Sequence, residues 1–120
     1  MGEQSVRVII VEPEILIALD VESVLRSIGE WNMDITTVNA IDTSAQTIAC
    51  DLLVCSVERL CESVIDFLHA AAGKGAVVVV LTTSDEVLKA GLPWGCIPKP
   101  FRDEELADEI VRALGARSAG

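Results

Sequence analysis

The apolar positions of this chain alternate between short continuous runs and longer stretches with helical spacing. Val6–Val11 and Ala76–Leu81 are almost entirely apolar and rich in β-branched residues, which is typical of strands covered on both faces. Between positions 17 and 28 the apolar residues recur every three or four positions, and Gly29 follows as a stop signal. The pattern predicts a strand followed by an amphipathic helix, and similar units recur along the chain.

Strand and helix signals alternate five times, and this alternation predicts the architecture. Repeated βα units imply an α/β fold, (βα)5, with a doubly wound parallel sheet, right-handed crossovers and helices on both faces. The first, third and fourth strands are the most apolar, which favours the strand order 2-1-3-4-5 of a flavodoxin-like three-layer sandwich. The predicted strands are Val6–Val11, Asp34–Ala40, Leu52–Cys55, Ala76–Leu81 and Cys96-Ile97. The first predicted helix has Pro13 in its first turn. The next three helices cover Thr43–Ala49, Arg59–Ala72 and Ser84–Ala90, and Asp103 caps the last helix.

Length and charge restrict the class of protein. The 120 residues fit a single domain, 1–120, with an ordered core of about 5–115 and a loose tail from Gly115. The net charge of −10 would repel nucleic acid and anionic lipid, so a basic or neutral protein partner is expected. No apolar run approaches the ~20 residues that span a bilayer. The N-terminus lacks the features of a signal peptide, so we expect a cytoplasmic protein.

The cysteines do not have the spacing of a metal site. Cys50, Cys55, Cys61 and Cys96 form no C-x-x-C pair, and His69 is the single histidine. Zinc binding is therefore not expected, and the cysteines are interpreted as small apolar residues in a reducing compartment.

Polar side chains follow the strands where a parallel sheet places its ligands. Glu12 follows the first strand, Ser56 the third and Thr82 the fourth, and Lys99 follows the fifth. Because the carboxyl ends of parallel strands meet at one edge, we expect these side chains to lie close together. Each also has a structural explanation: Glu12 favours the positive end of a helix, and Thr82 is a common strand residue.

Several motifs follow one another along the chain: Val8–Glu12, Glu14, Ile17–Asp20, Asp51–Ser56, Leu81-Thr82 and Lys99–Phe101. With these motifs the chain resembles, over nearly its full length, the receiver domains of two-component response regulators. The resemblance implies a pocket in which acidic residues hold Mg²⁺ and an aspartate accepts a phosphoryl group. It also implies that a threonine and a lysine bind that group, and that an aromatic residue on the last strand swings inward.

Three of the matched positions depart from the receiver pattern. Pro13 occupies the position of the second acidic residue, Ser56 that of the phosphate-accepting aspartate, and Cys96 that of the swinging aromatic. Mg²⁺ prefers an octahedral set of oxygen ligands that includes carboxylates, so Mg²⁺ binding is expected to be weak or lost and no other cofactor is expected. Lys99 should then point toward Glu12 or the Ser56 hydroxyl. Whether the Lys99–Pro100 bond is cis remains open at this stage.

These departures predict a pseudo-receiver, a signalling module rather than an enzyme, with no catalytic residue and no metal ligand. Its expected activity is to bind a protein: a histidine kinase, a phosphorelay protein or another regulator. The resemblance points to the surface made by the fourth predicted helix, the fifth strand and the last helix, which is also a possible homodimer contact. Trp94 fits an interface anchor and a helix-packing residue equally well. The residues predicted on that surface are Leu88, Leu92, Trp94, Asp103, Glu104, Asp108 and Arg112.

Two other functions remain open from the sequence. One is a working phosphorelay receiver that uses an unusual acceptor, Glu12 or Glu58, since Asp51 begins its strand at the far end from the pocket. The other is a small-ligand sensor at the crevice between the first and third strands. No glycine-rich phosphate loop follows the first strand, which argues against a nucleotide ligand.

Overall fold

The structure, a computed structural model, describes residues 6–36 and 50–119, and a five-stranded sheet forms its centre. The strands lie in the order β2-β1-β3-β4-β5, and all pairings are parallel. The predicted fold class and strand order are confirmed. The strands are β1 (Arg7–Val11), β2 (Asn32–Thr36), β3 (Leu52–Ser56), β4 (Val77–Thr82) and β5 (Gly95–Pro98). The helices are α1 (Ile15–Ile28), α2 (Glu62–Gly73), α3 (Asp85–Leu88) and α4 (Asp103–Ala119).

The two faces of the sheet form separate cores, because successive strand residues point to opposite faces. One face packs against α1 and α4, and the other against α2 and α3. Polar contacts therefore concentrate at the strand ends. The first core includes Ile10, Val54, Val79, Leu81, Val21, Leu25, Leu106 and Ile110. The second includes Leu53, Cys55, Val78, Val80, Val64, Phe67, Leu68 and Val87.

The beginnings of α1 and α2 differ from the predicted ones. The carbonyl of Glu14 accepts the first helical hydrogen bonds of α1, so Pro13 precedes the helix instead of lying in its first turn. Helix α2 begins at Glu62 instead of near Arg59, because the carbonyl of Cys61 accepts its first bond, from Ile65.

The last helix also begins differently. Asp103 is its first helical residue rather than its cap, because the carbonyl of Arg102 accepts from the Leu106 amide. The Arg102 amide in turn donates to Glu105 Oε1 at 3.0 Å, as in one half of a capping box. Helix α4 then continues to Ala119, through most of the segment expected to be a loose tail.

Two predicted segments involve residues outside the described ranges. The second strand begins at Asn32 rather than Asp34, because the Asn32 amide donates to the carbonyl of Val6 at 2.9 Å. Its predicted continuation beyond position 36 and the helix predicted over Thr43–Ala49 lie outside the described residues. In the ranges that are described, no helix has the length and apolar character needed to cross a bilayer.

Candidate functional site

The carboxyl ends of β1, β3, β4 and β5 form the candidate site. The strand register sets Ser56 beside Leu81, and Thr82 beside Pro98. The Lys99 amide then donates to the carbonyl of Thr82 at 2.8 Å, which fixes the start of the β5–α4 loop. Polar residues that are far apart in sequence thus meet at one edge of the sheet, as expected for a doubly wound fold.

The Lys99 ammonium lies at the centre of the site and has three acceptors. Its Nζ is 2.7 Å from Ser56 Oγ, 2.9 Å from Glu58 Oε2 and 3.2 Å from Glu12 Oε1. An ammonium has three N–H donors, so these acceptors match its capacity. Burial tends to lower the pKa of Lys99, but the hydrogen bonds and charges of Glu58 and Glu12 outweigh it and raise the pKa. The predicted contacts of Lys99 with Glu12 and Ser56 are both present.

Glu12 is a buried carboxylate, with its side chain 1% exposed. Its Oε1 accepts from Lys99, and its Oε2 accepts from the amide of Glu14 at 3.0 Å. A buried charge needs compensation of this kind, since an isolated carboxylate in an apolar interior costs several kcal/mol or more. Pro13 is exposed on the same turn and provides no carboxylate.

Glu58 also belongs to the site. The sequence indicated it only as a possible unusual acceptor, and its side chain reaches the pocket beside Glu12. The Val57 amide donates to the carbonyl of Leu81, and the Val57 side chain is buried, so the chain continues along β4 before it turns. The sequence signal for the position of Glu58 is the apolar Val57 after Ser56. Because Val57 is buried beside β4, it keeps Glu58 at the rim of the sheet.

The carboxylate of Glu58 accepts hydrogen bonds from three residues. Its Oε1 accepts from the Thr83 amide and the Thr83 hydroxyl, both at 2.7 Å, and from Thr82 Oγ1 at 3.2 Å. Lys99 contacts its Oε2. Burial tends to raise the pKa of Glu58, but the bonds from Lys99 and Thr83 outweigh it and lower the pKa to about 2. Glu58 is therefore ionised at neutral pH.

Thr82 connects this network to α3. Its side chain is fully buried, and its Oγ1 donates to Glu58 and accepts from the Ser84 amide at 2.9 Å. Ser84 is the N-cap of α3, and its Oγ accepts from the Val87 amide at 3.3 Å. A change at Glu58 would therefore reach the first turn of α3 through two hydrogen bonds.

Cys96, at the position of the swinging aromatic, is half-buried in β5 and packs against the second core. Its Sγ donates to the carbonyl of Trp94 at 3.7 Å, and burial, with the charge of Glu109, raises the pKa of its thiol. The Lys99–Pro100 bond is cis.

The predicted interaction residues lie on α3, on the loop between α3 and β5, and on α4. Leu88, Leu92 and Trp94 are half-buried, whereas the charged residues Asp103, Glu104, Asp108 and Arg112 are exposed. The indole of Trp94 packs edge-on against His69 of α2, with ring centroids 4.9 Å apart. A groove of about 380 Å³ beside Trp94 is lined by β4, Pro93, Gly95, Glu109 and Arg112.

The residues of the pocket do not fit a magnesium ion. Lys99 occupies the space between Glu12 and Glu58, both Glu12 oxygens already have partners, and Ser56 is neutral. Within residues 6–36 and 50–119, no three His, Cys, Asp or Glu side chains are grouped so that they could hold a metal. Mg²⁺ prefers carboxylate and water oxygens in a regular octahedron, and an ammonium at the centre opposes that arrangement.

Replacing Lys99 by Met is expected to destabilise the fold by about 3 kcal/mol, because Glu12 would remain buried without its cation. Urea unfolding at neutral pH measures the loss. The matched control is Lys89→Met at an exposed lysine, expected to change stability by no more than about 0.5 kcal/mol. Equal effects of the two substitutions would contradict the assigned role of Lys99.

Glu58 should make stability depend on acid pH. Its pKa is about 2 in the folded chain against an ordinary 4.5, so the unfolded chain takes up the proton first as the pH falls. Its contribution is therefore complete above about pH 4.5 and is lost as the pH approaches about 2. Urea unfolding of the wild type and Glu58→Gln across this range should show the two converging in acid. A constant difference down to about pH 2 would contradict the assigned contacts.

Solved structures of receiver domains share this fold. The response regulatory domain of protein mrkE from Klebsiella pneumoniae superposes with a TM-score of 0.74 at 15% identity, covering 95% of this chain and 99% of that one. A response regulator receiver protein from Sinorhizobium medicae gives 0.73 at 22% identity, covering 95% and 98%. The receiver domain of the PhyR response regulator of Erythrobacter litoralis gives 0.72 at 26% identity, covering 92% and 91%.

No protein-family model matches the chain, and no curated protein does either. The assignment of the fold therefore depends on the strand order and the structural neighbours together. The chain has the receiver-domain fold of two-component response regulators.

Proposed function

We propose that this chain is a pseudo-receiver, which binds a protein partner and is not phosphorylated at Ser56. The contact of 2.7 Å between Lys99 Nζ and Ser56 Oγ carries the proposal. A serine hydroxyl is a weak nucleophile and needs a neighbouring base to take its proton. Lys99 cannot be that base, because the carboxylates around it keep it protonated.

Two other bases, His69 and Glu58, are also poorly suited to activate Ser56. His69 lies on α2 with its ring against Trp94. Glu58 is a weak base, since its pKa is about 2. With no fit for Mg²⁺ in the pocket, the proposal extends to weak or absent magnesium binding.

The proposed partner carries a basic surface. Asp103, Glu104 and Asp108 are exposed on α4, and Leu92 and Trp94 are half-buried before β5. A second copy of the chain would bring the same acidic residues face to face, which is unfavourable, whereas a basic partner would be attracted. The acidic surface therefore supports a different protein as the partner rather than a second copy of this chain. Trp94, which is half-exposed beside the groove, fits an anchor for such a contact.

A second candidate function is a receiver that is phosphorylated on Glu58. The side chain of Glu58 is 45% exposed and contacts Lys99, so a phosphodonor could reach it, whereas Glu12 is buried. Its four hydrogen bonds oppose this, because a carboxylate oxygen that attacks phosphorus must first give up bonds to its donors. We therefore place this function second.

Incubation with acetyl phosphate and Mg²⁺, followed by intact mass spectrometry, tests the proposal. The wild type is expected to keep its mass, because Ser56 has no activating base. A receiver domain that carries the usual aspartate is the positive control. An added phosphoryl group sensitive to hydroxylamine would identify an acyl phosphate and overturn the proposal, and its absence from Glu58→Gln would assign it to Glu58.

A designed amphipathic helical peptide of Lys and Leu is the probe for the interaction surface. In NMR titrations it should shift the amide resonances of residues 88–94 and of α4, and the binding should weaken with salt. Asp108→Lys should weaken binding several-fold, whereas Glu62→Lys, on an exposed position of α2, should not. Shifts confined to other surfaces would overturn this assignment, as would concentration-dependent shifts of residues 88–94 without peptide, which would indicate a homodimer.

A further inference from the structure

We propose that Glu58 is an internal ligand, whose carboxylate fills an oxyanion-binding position formed by Thr82, Thr83 and Lys99. The inference extends the proposed function, because it explains how the pocket keeps one arrangement without a phosphoryl group. The resemblance to receiver domains implies that the threonine and the lysine bind that group. In this chain the same two side chains bind a carboxylate of the chain itself.

The donors around Glu58 have the composition of an oxyanion site. They are a backbone amide, two hydroxyls and an ammonium, which belong to Thr83, Thr82 and Lys99. Ionised acceptors form shorter and stronger hydrogen bonds than neutral ones, and the two 2.7 Å bonds from Thr83 agree with that. Preorganised donors of this kind stabilise negative charge on any oxyanion of suitable size.

The burial of the donors differs from that of the carboxylate. Thr82 is fully buried and the Lys99 side chain is 8% exposed, whereas the Glu58 side chain is 45% exposed. Thr82 and Lys99 are thus buried at the sheet, whereas Thr83 is exposed just after β4, and the carboxylate reaches all three from the surface. Without Glu58, the position between these donors would be unfilled, and another anion could enter it and restore their arrangement.

The covalent connection gives Glu58 an advantage over an external anion. It follows Ser56 by two positions, so its carboxylate stays near the donors at a high effective concentration. A dissolved anion must compete with that local carboxylate and with the negative charge of Glu12. The wild-type site is therefore expected to exclude phosphate and acetate at millimolar concentrations, whereas a chain without the Glu58 carboxylate should accept them.

The occupied position also sets the geometry of the β4–α3 connection. Thr82 Oγ1 donates to Glu58 and accepts from Ser84, and Ser84 caps α3. The bond to Glu58 therefore keeps the Thr82 hydroxyl directed toward the pocket. The bonds from Ser84 to Thr82 and from Val87 to Ser84 then hold the first turn of α3. The proposed interaction surface begins at this helix, so Glu58 would hold that surface permanently in one state.

The test is an NMR comparison of the wild type with Glu58→Ala, using the amide resonances of Thr83 and Ser84. The substitution should shift both resonances, since Thr83 loses its acceptor and Thr82 is free to turn. Added acetate, or inorganic phosphate in a separate titration, should move the Thr83 resonance back in a saturable way. The wild type should show no saturable shift over the same range.

The control is Glu62→Ala, an exposed glutamate four positions further along the chain. It removes the same charge and should leave Thr83 and Ser84 unaffected by either anion. If Glu58→Ala does not fold, Glu58→Gln provides the test, because its neutral amide should weaken the Thr83 bond and speed hydrogen exchange at that amide several-fold.

Two results would overturn the inference. Unchanged Thr83 and Ser84 resonances in Glu58→Ala, or unchanged Thr83 exchange in Glu58→Gln, would show that Glu58 does not hold the loop. A shift that neither acetate nor phosphate reverses would show that the pocket is not an oxyanion site. Both results are independent of the acetyl phosphate experiment, which measures covalent modification of the wild type and decides the proposed function separately.

Discussion

The buried carboxylate of Glu12 and the ammonium that neutralises it determine the organisation of this pocket. A carboxylate that is 1% exposed is costly in a folded protein unless a cation and hydrogen-bond donors are in contact with it. Lys99 is that cation, and it comes from the opposite part of the sheet. The fold must therefore bring the ends of β1 and β5 together across β3 and β4, and the parallel register does so.

The second carboxylate changes the character of the site. With Glu12 alone, Lys99 would form a simple buried ion pair. With Glu58 added, the ammonium joins two carboxylates and a hydroxyl, and the network extends through Thr82 to the cap of α3. Networks of this kind are more rigid than isolated pairs, because each group restricts the next. The pocket thus sets one ammonium against two carboxylates and is connected by hydrogen bonds to a neighbouring helix.

The architecture was predictable because it depends on apolar patterns that extend over many residues. The runs that became β1, β3 and β4 are continuous and β-branched, and the strand order followed from their relative hydrophobicity. The helix beginnings were less predictable. Each depends on which single carbonyl accepts the first helical bond, and at Glu14, Cys61 and Arg102 no strong capping side chain marks the position.

The pocket residues on the strands were predictable for the same reason, since Glu12, Ser56, Thr82 and Lys99 each directly follow or end an apolar run. Glu58 was not, because its direction is set by the turn after Val57 and by the donors of Thr83, which lie far away in sequence. A loop side chain takes its place from partners that the local pattern does not encode. The contacts of Trp94 with α2 likewise emerge only from the folded chain.

The position of Lys99 has a physiological consequence. A divalent ion held by carboxylates comes and goes with its free concentration, whereas an ammonium attached to the backbone can neither be diluted nor removed by a chelator. Under the proposed loss of magnesium binding, the charge of this pocket would be independent of cellular magnesium and of competing metals. A module built in this way would keep the same resting state when the free magnesium concentration changes.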